Sequence, residues 1–485
     1  MSLRKVLACL VLAMLPLGFA SAAPLDALSL PVVTRHTGIF GGKHVAYKAV
    51  VERIDVADAS GKPGARLVCF SYLAAGKRGD RPVLFAFNGG PITPSDILHM
   101  GALGPKRVAI PDDVTAPPSS YKVVDNVYTP LDVADIVFID PASTGFSRVA
   151  DGVDPKGYFS VTADAQQVAQ FIVAWSQAHR RMDSPKYLIG ESYGTNRAAA
   201  VANQLQKMPQ SVNLQGVVLM GQALNIIEFS QRPANLVSYA VSLPTLAAIA
   251  WSHGKVDLGG KTFDQFEDEV RLFARTDYLE ALFPGAALPQ ERRAAIAGKL
   301  ATYTGLPASY YLAHDLEITK EQYRRELFRD QKQILGMIDA RYVGPVSKEV
   351  PDPASVITKA YESAFKDYLR DDLKVADTAD YVTADPVSGL NDWGWNGTGI
   401  SPFADWPYPA LLSEVFAANP KFRVMVMNGW QDTQTTVGAA QLLVDRSGWP
   451  QDRVSLHFYQ GGHTAYSVED SLKRMTADVR TFVTP

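Results

Sequence analysis

Hydrophobic and polar positions change their rhythm several times along this 485-residue chain, and the changes divide it. From about residue 37 to 74 apolar and polar residues alternate at period two, interrupted at Ser60-Gly61-Lys62-Pro63-Gly64, which predicts a hairpin at the edge of a sheet. Residues 82–87 (PVLFAF) and 134–140 (ADIVFID) are instead continuous apolar runs, as in strands buried on both faces. Residues 162–178 carry apolar side chains at helical spacing through Val168, Phe171, Ile172 and Trp175. A short apolar run at 187–189, an Ala-rich helical pattern at 196–207 and another apolar run at 217–220 continue the alternation. Strands alternating with helices predict an α/β architecture: a mostly parallel sheet flanked by helices on both faces.

The alternation then stops. Residues 225–400 read as mainly helical, with helices expected at 263–283, 289–304 and 318–331 and no strong strand pattern. Because the strand pattern resumes at 423–427 (RVMVM) and 453–459 (RVSLHFY), before a final amphipathic helix near 468–482, the helical stretch reads as an insertion. Two core segments, 23–224 and 401–485, thus bracket a lid at 225–400 that would lie over the carboxyl edge of the sheet and exclude water.

Composition narrows the function by exclusion. With 47% hydrophobic residues and a formal charge of -3, the chain has no basic block for nucleic acid and no basic amphipathic helix for a membrane surface. Residues 1–22 carry Arg4 and Lys5, an apolar core and Ala20-Ser21-Ala22, the form of a cleaved secretory signal, so an exported protein, periplasmic or secreted, is expected. No later run is apolar enough to span a bilayer. Cys9 lies inside the signal, which leaves Cys69 alone and no internal disulfide. No H-E-x-x-H or clustered Cys/His spacing offers a metal site, and no cofactor is expected.

Between the strand at 187–189 and the helix at 196–207 lies Gly190-Glu191-Ser192-Tyr193-Gly194. This is the G-x-S-x-G form of a nucleophile elbow, a strained strand-to-helix turn that exposes a serine hydroxyl, and Ser192 is the candidate nucleophile. The buried run at 82–87 ends in Asn88-Gly89-Gly90-Pro91, where the second half of an oxyanion hole would be placed. Asp432 follows the late strand at 423–427, and His463 sits in a glycine-rich loop after the last strand. Of the other seven histidines, His36 and His44 precede the first sheet strands, His99 lies in the oxyanion-side loop, His179 ends a helix, His253 and His314 lie in the insertion, and His457 is within a strand. The chain order Ser192, Asp432, His463 is that of an α/β-hydrolase.

Taken together, the motifs resemble the serine carboxypeptidase family. Asn88-Gly89-Gly90-Pro91 resembles its N-G-G-P loop, Leu103-Gly104-Pro105 its L-G-P, Pro141 to Ser147 its P-x-G-x-G-F-S, and Gly190 to Gly194 its G-E-S-Y elbow. The resemblance implies backbone oxyanion donors at Gly90 and Tyr193. It also implies that Asn88, Gly89 and Glu191 bind the free α-carboxylate of a peptide substrate. A glutamate can share a hydrogen bond with that carboxylate only when one of the two is protonated, so turnover should favour acidic pH. The chain departs from the family at Ile92 to Ser95, where G-C-S-S is common, at Ala86, and at Ser143 in place of a glycine. An esterase or acyltransferase on the same fold, or a non-catalytic binding protein, remains an alternative reading of the same motifs.

Overall fold

The computed structural model describes residues 29–58, 61–76, 79–348, 350–383, 393–395 and 408–484. The segment read as a signal, 1–22, lies outside the described residues. Strands β1 (Val32–Phe40), β2 (Lys43–Ala57) and β3 (Pro63–Ala74) form an antiparallel meander. The sequence predicts one hairpin here and the chain makes two. The additional turn is Gly41-Gly42, both at positive φ, which closes β1 onto β2 without breaking the alternation around it.

The strands of the buried series are β4 (Val83–Phe87), then the small antiparallel pair β5 (Lys106–Ala109) and β6 (Lys122–Asp125), then β7 (Asp135–Ile139) with the short β8 (Arg148–Val149) on β3. They continue with β9 (Lys186–Glu191) and β10 (Leu214–Met220). A two-stranded hairpin, β11 (Gln333–Leu335) and β12 (Val343–Pro345), forms inside the stretch read as helical. After it come β13 (Arg423–Gly429) and β14 (Val454–Tyr459). The large sheet runs β1-β2-β3-β7-β4-β9-β10-β13-β14, antiparallel as far as β7 and parallel from there on.

Burial on both faces explains the continuous apolar runs. In β4, Val83, Phe85 and Phe87 enter one core, while Leu84 and Ala86 enter the other. The first core is closed by the helices Val161–Ala178 and Tyr193–Lys207. The second is closed by the helices Ser355–Asp371 and Glu469–Val483. Phe365 of the former meets Phe70 of β3 edge to face at 5.2 Å, so this helix, within the stretch read as a lid, covers a face of the sheet.

Much of the rest of the described part of that stretch forms a core of its own. The expected helix 263–283 runs as Phe263–Phe273, a π turn Ala274–Tyr278 and Leu279–Leu282. The helix expected at 289–304 spans Gln290–Thr304, and that at 318–331 is shortened to Lys320–Glu326 plus a 3-10 turn, Arg329–Gln331. Val270, Leu300, Tyr311 and Tyr323 join a third core whose buried members, among the described residues, run from Tyr239 to Ala340. Cys69 is fully buried in β3, and burial pushes its thiol well above the usual range. No helix among the described residues is long and apolar enough to cross a membrane. A mixed sheet of this order, with a strand-to-helix serine turn at the end of β9, is an α/β-hydrolase fold.

Candidate active site

Ser192 sits at φ 59°, ψ -128° between β9 and the helix Tyr193–Lys207. A non-glycine residue there is strained, and the strain is held by neighbours. Its N–H donates to the Met220 carbonyl of β10 (2.9 Å), and its own carbonyl accepts from the amide (2.9 Å) and hydroxyl (2.7 Å) of Thr195. The flanking glycines are required sterically: a Cβ on Gly190 would stand 2.0 Å from the Gly194 oxygen, and one on Gly194 would stand 2.9 Å from the Asn88 oxygen.

Asp432, fully buried in the loop after β13, receives four hydrogen bonds. Its Oδ1 accepts from the amides of Gln434 (2.8 Å) and Thr435 (3.1 Å). Its Oδ2 accepts from the Thr435 hydroxyl (2.5 Å) and pairs with His463 Nδ1 (2.7 Å). With Nδ1 occupied by a carboxylate, Nε2 is the nitrogen left for proton transfer. The imidazole lies over the carboxyl end of β10, where a Cβ on Gly221 would be 3.1 Å from its Cε1. Gly221 directly follows Met220, the residue that accepts from Ser192 N–H. The acid and the histidine are thus brought to the sheet edge beside the elbow. Burial lowers the basicity of His463, but the Asp432 charge, its hydrogen bond and the Glu191 charge outweigh it and push the imidazole up to about 9.

The histidine loop is braced from the insertion. His463 N–H donates to the Ile338 carbonyl (2.5 Å), and the Ala340 amide donates to the Gln431 carbonyl (3.0 Å). Ile338 and Ala340 lie in the turn between β11 and β12. The approach is close enough that a Cβ on Gly462 would be 2.1 Å from the Ile338 oxygen.

On the other side of the serine, Gly89 passes so near the elbow that a Cβ there would be 2.6 Å from Tyr193 N. Gly90 adopts φ 101°, in the left-handed range that favours glycine. Tyr193 opens its helix, so its N–H has no intrahelical acceptor. Asn88 Nδ2 donates to Glu191 Oε2 (2.9 Å), and Asn88 Oδ1 accepts from the Leu98 amide (2.9 Å). Tyr466 Oη donates to the same Glu191 oxygen (2.8 Å). Burial raises the Glu191 carboxyl to about 7, against the opposing pull of His463 and the hydrogen bonds from Tyr466 and Asn88.

Thr435 and Tyr466 do not stand out in the sequence. Each is recognisable only by the partner it meets: the carboxylate of Asp432 for one, that of Glu191 for the other. Arg197, fully buried beneath the Asn88–Pro91 loop, is likewise invisible in the elbow motif.

Residues 58–260 match the serine carboxypeptidase family model. The serine carboxypeptidase match includes Asn88 to Pro91 and the Ser192 elbow; Asp432 and His463 lie beyond it. No curated protein matches the chain. Among solved structures, the chain is similar to a proline iminopeptidase from Mycobacterium smegmatis at 14% identity, covering 93% of this chain and 97% of that one, with a TM-score of 0.35. It is similar also to a carboxyl esterase from Bacillus coagulans at 12% identity, covering 89% and 97%, with a TM-score of 0.37.

Proposed function

We propose that the chain is an exported serine carboxypeptidase that releases carboxyl-terminal amino acids from peptides through an acyl-enzyme on Ser192. His463, oriented by Asp432, takes the Ser192 proton as the hydroxyl attacks the last peptide carbonyl, then delivers it to the departing amino acid. Water, deprotonated by the same imidazole, releases the acyl group. The N–H groups of Gly90 and Tyr193 hold the oxyanion, an interaction worth about 3 kcal/mol for one donor.

The observation that carries the reading is the buried Asn88–Glu191 pair beside the nucleophile, with the Glu191 carboxyl raised to about 7. Below that value the protonated form dominates and can donate to a substrate carboxylate. A serine esterase is the second reading, and one observation favours it: Asn88 is spent on Glu191 and Leu98, and both Asn88 and Glu191 are buried.

Release of free amino acid from an N-blocked dipeptide separates the two. The carboxypeptidase reading expects release by the wild type, a lower KM below about pH 7 than above it, and loss of turnover in Ser192→Ala. Ser192-dependent hydrolysis of simple esters with the dipeptide untouched would overturn it in favour of the esterase.

A further inference from the structure

We propose that Arg197 is a positioning residue that fixes the spacing of the two oxyanion donors. The inference rests on the reading of Gly90 and Tyr193 as those donors. Arg197 lies in the elbow helix, four residues after Tyr193, and is fully buried. Its Nη1 donates to the Asn88 carbonyl (2.5 Å) and its Nη2 to the Pro91 carbonyl (2.8 Å). These two carbonyls bracket Gly89 and Gly90, so one planar group clamps both ends of the loop that presents the Gly90 N–H.

The same side chain holds the other donor. Arg197 Nε donates to Oδ2 of the fully buried Asp164 (2.7 Å), and that oxygen also accepts from Tyr193 Oη (3.1 Å). The guanidinium lies over the Tyr193 ring, 5.2 Å from its centroid. Both halves of the hole are therefore referred to one rigid ion pair. Only an arginine fits this task, because a fixed fork reaches two carbonyls and a carboxylate at once, whereas a lysine offers a single point charge.

A purely stabilising role accounts poorly for this arrangement. Replacing a buried ion pair by apolar side chains of similar volume is commonly neutral or favourable for stability. Two bonds of Arg197 instead end on Asn88 and Pro91, on either side of Gly89-Gly90, and the third ends on Asp164, which also accepts from the Tyr193 hydroxyl. Gly90, between these two anchored carbonyls, adopts the left-handed φ of 101°.

The test is Arg197→Lys, assayed on an N-blocked dipeptide and on a p-nitrophenyl ester, together with binding of a peptide aldehyde that forms a tetrahedral adduct and of the N-blocked amino acid product. The expected result is a loss of roughly 10- to 100-fold in kcat with KM within about twofold, since a misplaced donor acts on the transition state. Aldehyde affinity should fall in parallel while product affinity stays unchanged. Arg197→Ala should recover part of the loss in added guanidinium. If Arg197→Lys fails to fold, Tyr193→Phe removes only the hydroxyl on Asp164 and should lower kcat and aldehyde affinity together by about two- to fivefold.

Unchanged kcat in the folded lysine variant, or a fall in kcat without loss of aldehyde affinity, overturns the proposal. If the wild type cleaves the ester and spares the dipeptide, the carboxypeptidase reading fails and Arg197 is judged on the ester. Absence of Ser192-dependent turnover on both substrates overturns the Arg197 proposal as well.

Discussion

The two sides of the active site are built in different ways. The Ser192 side is a run of adjacent residues: β9, a strained turn and a helix place the hydroxyl, Glu191 and the Tyr193 amide within one short segment. The Asp432–His463 side is assembled from two loops, after β13 and after β14, and is braced by a third segment from the insertion. The first needs only local geometry and the sheet beneath it, whereas the second needs correct tertiary docking. Damage to the first should therefore abolish chemistry in a stable protein, and the second should be open to damage from the insertion as well as from its own residues.

Four substitutions sharpen that contrast. Ser192→Ala should remove turnover by about 10^4-fold or more with Tm unchanged, measured by steady-state kinetics and thermal unfolding. Asp432→Asn should cost about 10^3- to 10^4-fold in kcat, because the Nδ1 partner that sets the tautomer is lost. Gly462→Ala pushes a methyl group into the Ile338 carbonyl and should lower kcat by about 10- to 100-fold through displacement of His463, with Ser192 and its turn untouched. If Gly462→Ala is as active as the wild type, the insertion does not govern the histidine side.

Glu191→Gln acts on the pH profile more than on the rate. In the wild type the Glu191 anion helps to raise His463, so its removal should move the acidic limb of the kcat profile to lower pH. It should also abolish the rise in KM for peptides above about pH 7, since the group that ionises there is gone. An unshifted acidic limb would show that Glu191 and His463 do not share a field.

Much of this was legible in the chain for physical reasons. Strands buried on both faces are apolar through their middles and keep polar residues to their ends, so β4, β7, β9, β10 and β13 announce themselves as apolar runs. The serine elbow is legible because its constraints fall on neighbours in sequence. The turn at Gly41-Gly42 was not, because period two continues across it and two strands look like one long one. Strands β11 and β12, three residues each, are too short to show any period. In Ser355–Asp371 the spacing of Ile357, Tyr361, Phe365 and Tyr368 is helical, but nothing local says that Phe365 meets Phe70, far earlier in the chain. Tyr466 and Thr435 join the site by hydrogen bonds between distant segments, which no single-chain periodicity encodes.

The turn between β11 and β12 ties the stretch read as a lid to the candidate catalytic histidine. Here a graft that replaced residues 225–400 wholesale would take away the Ile338 carbonyl on which the His463 amide rests. A graft on this scaffold would therefore have to retain residues 333–345 beside His463 and the helix Ser355–Asp371 against the sheet, which leaves the helices of the third core as the portion to exchange.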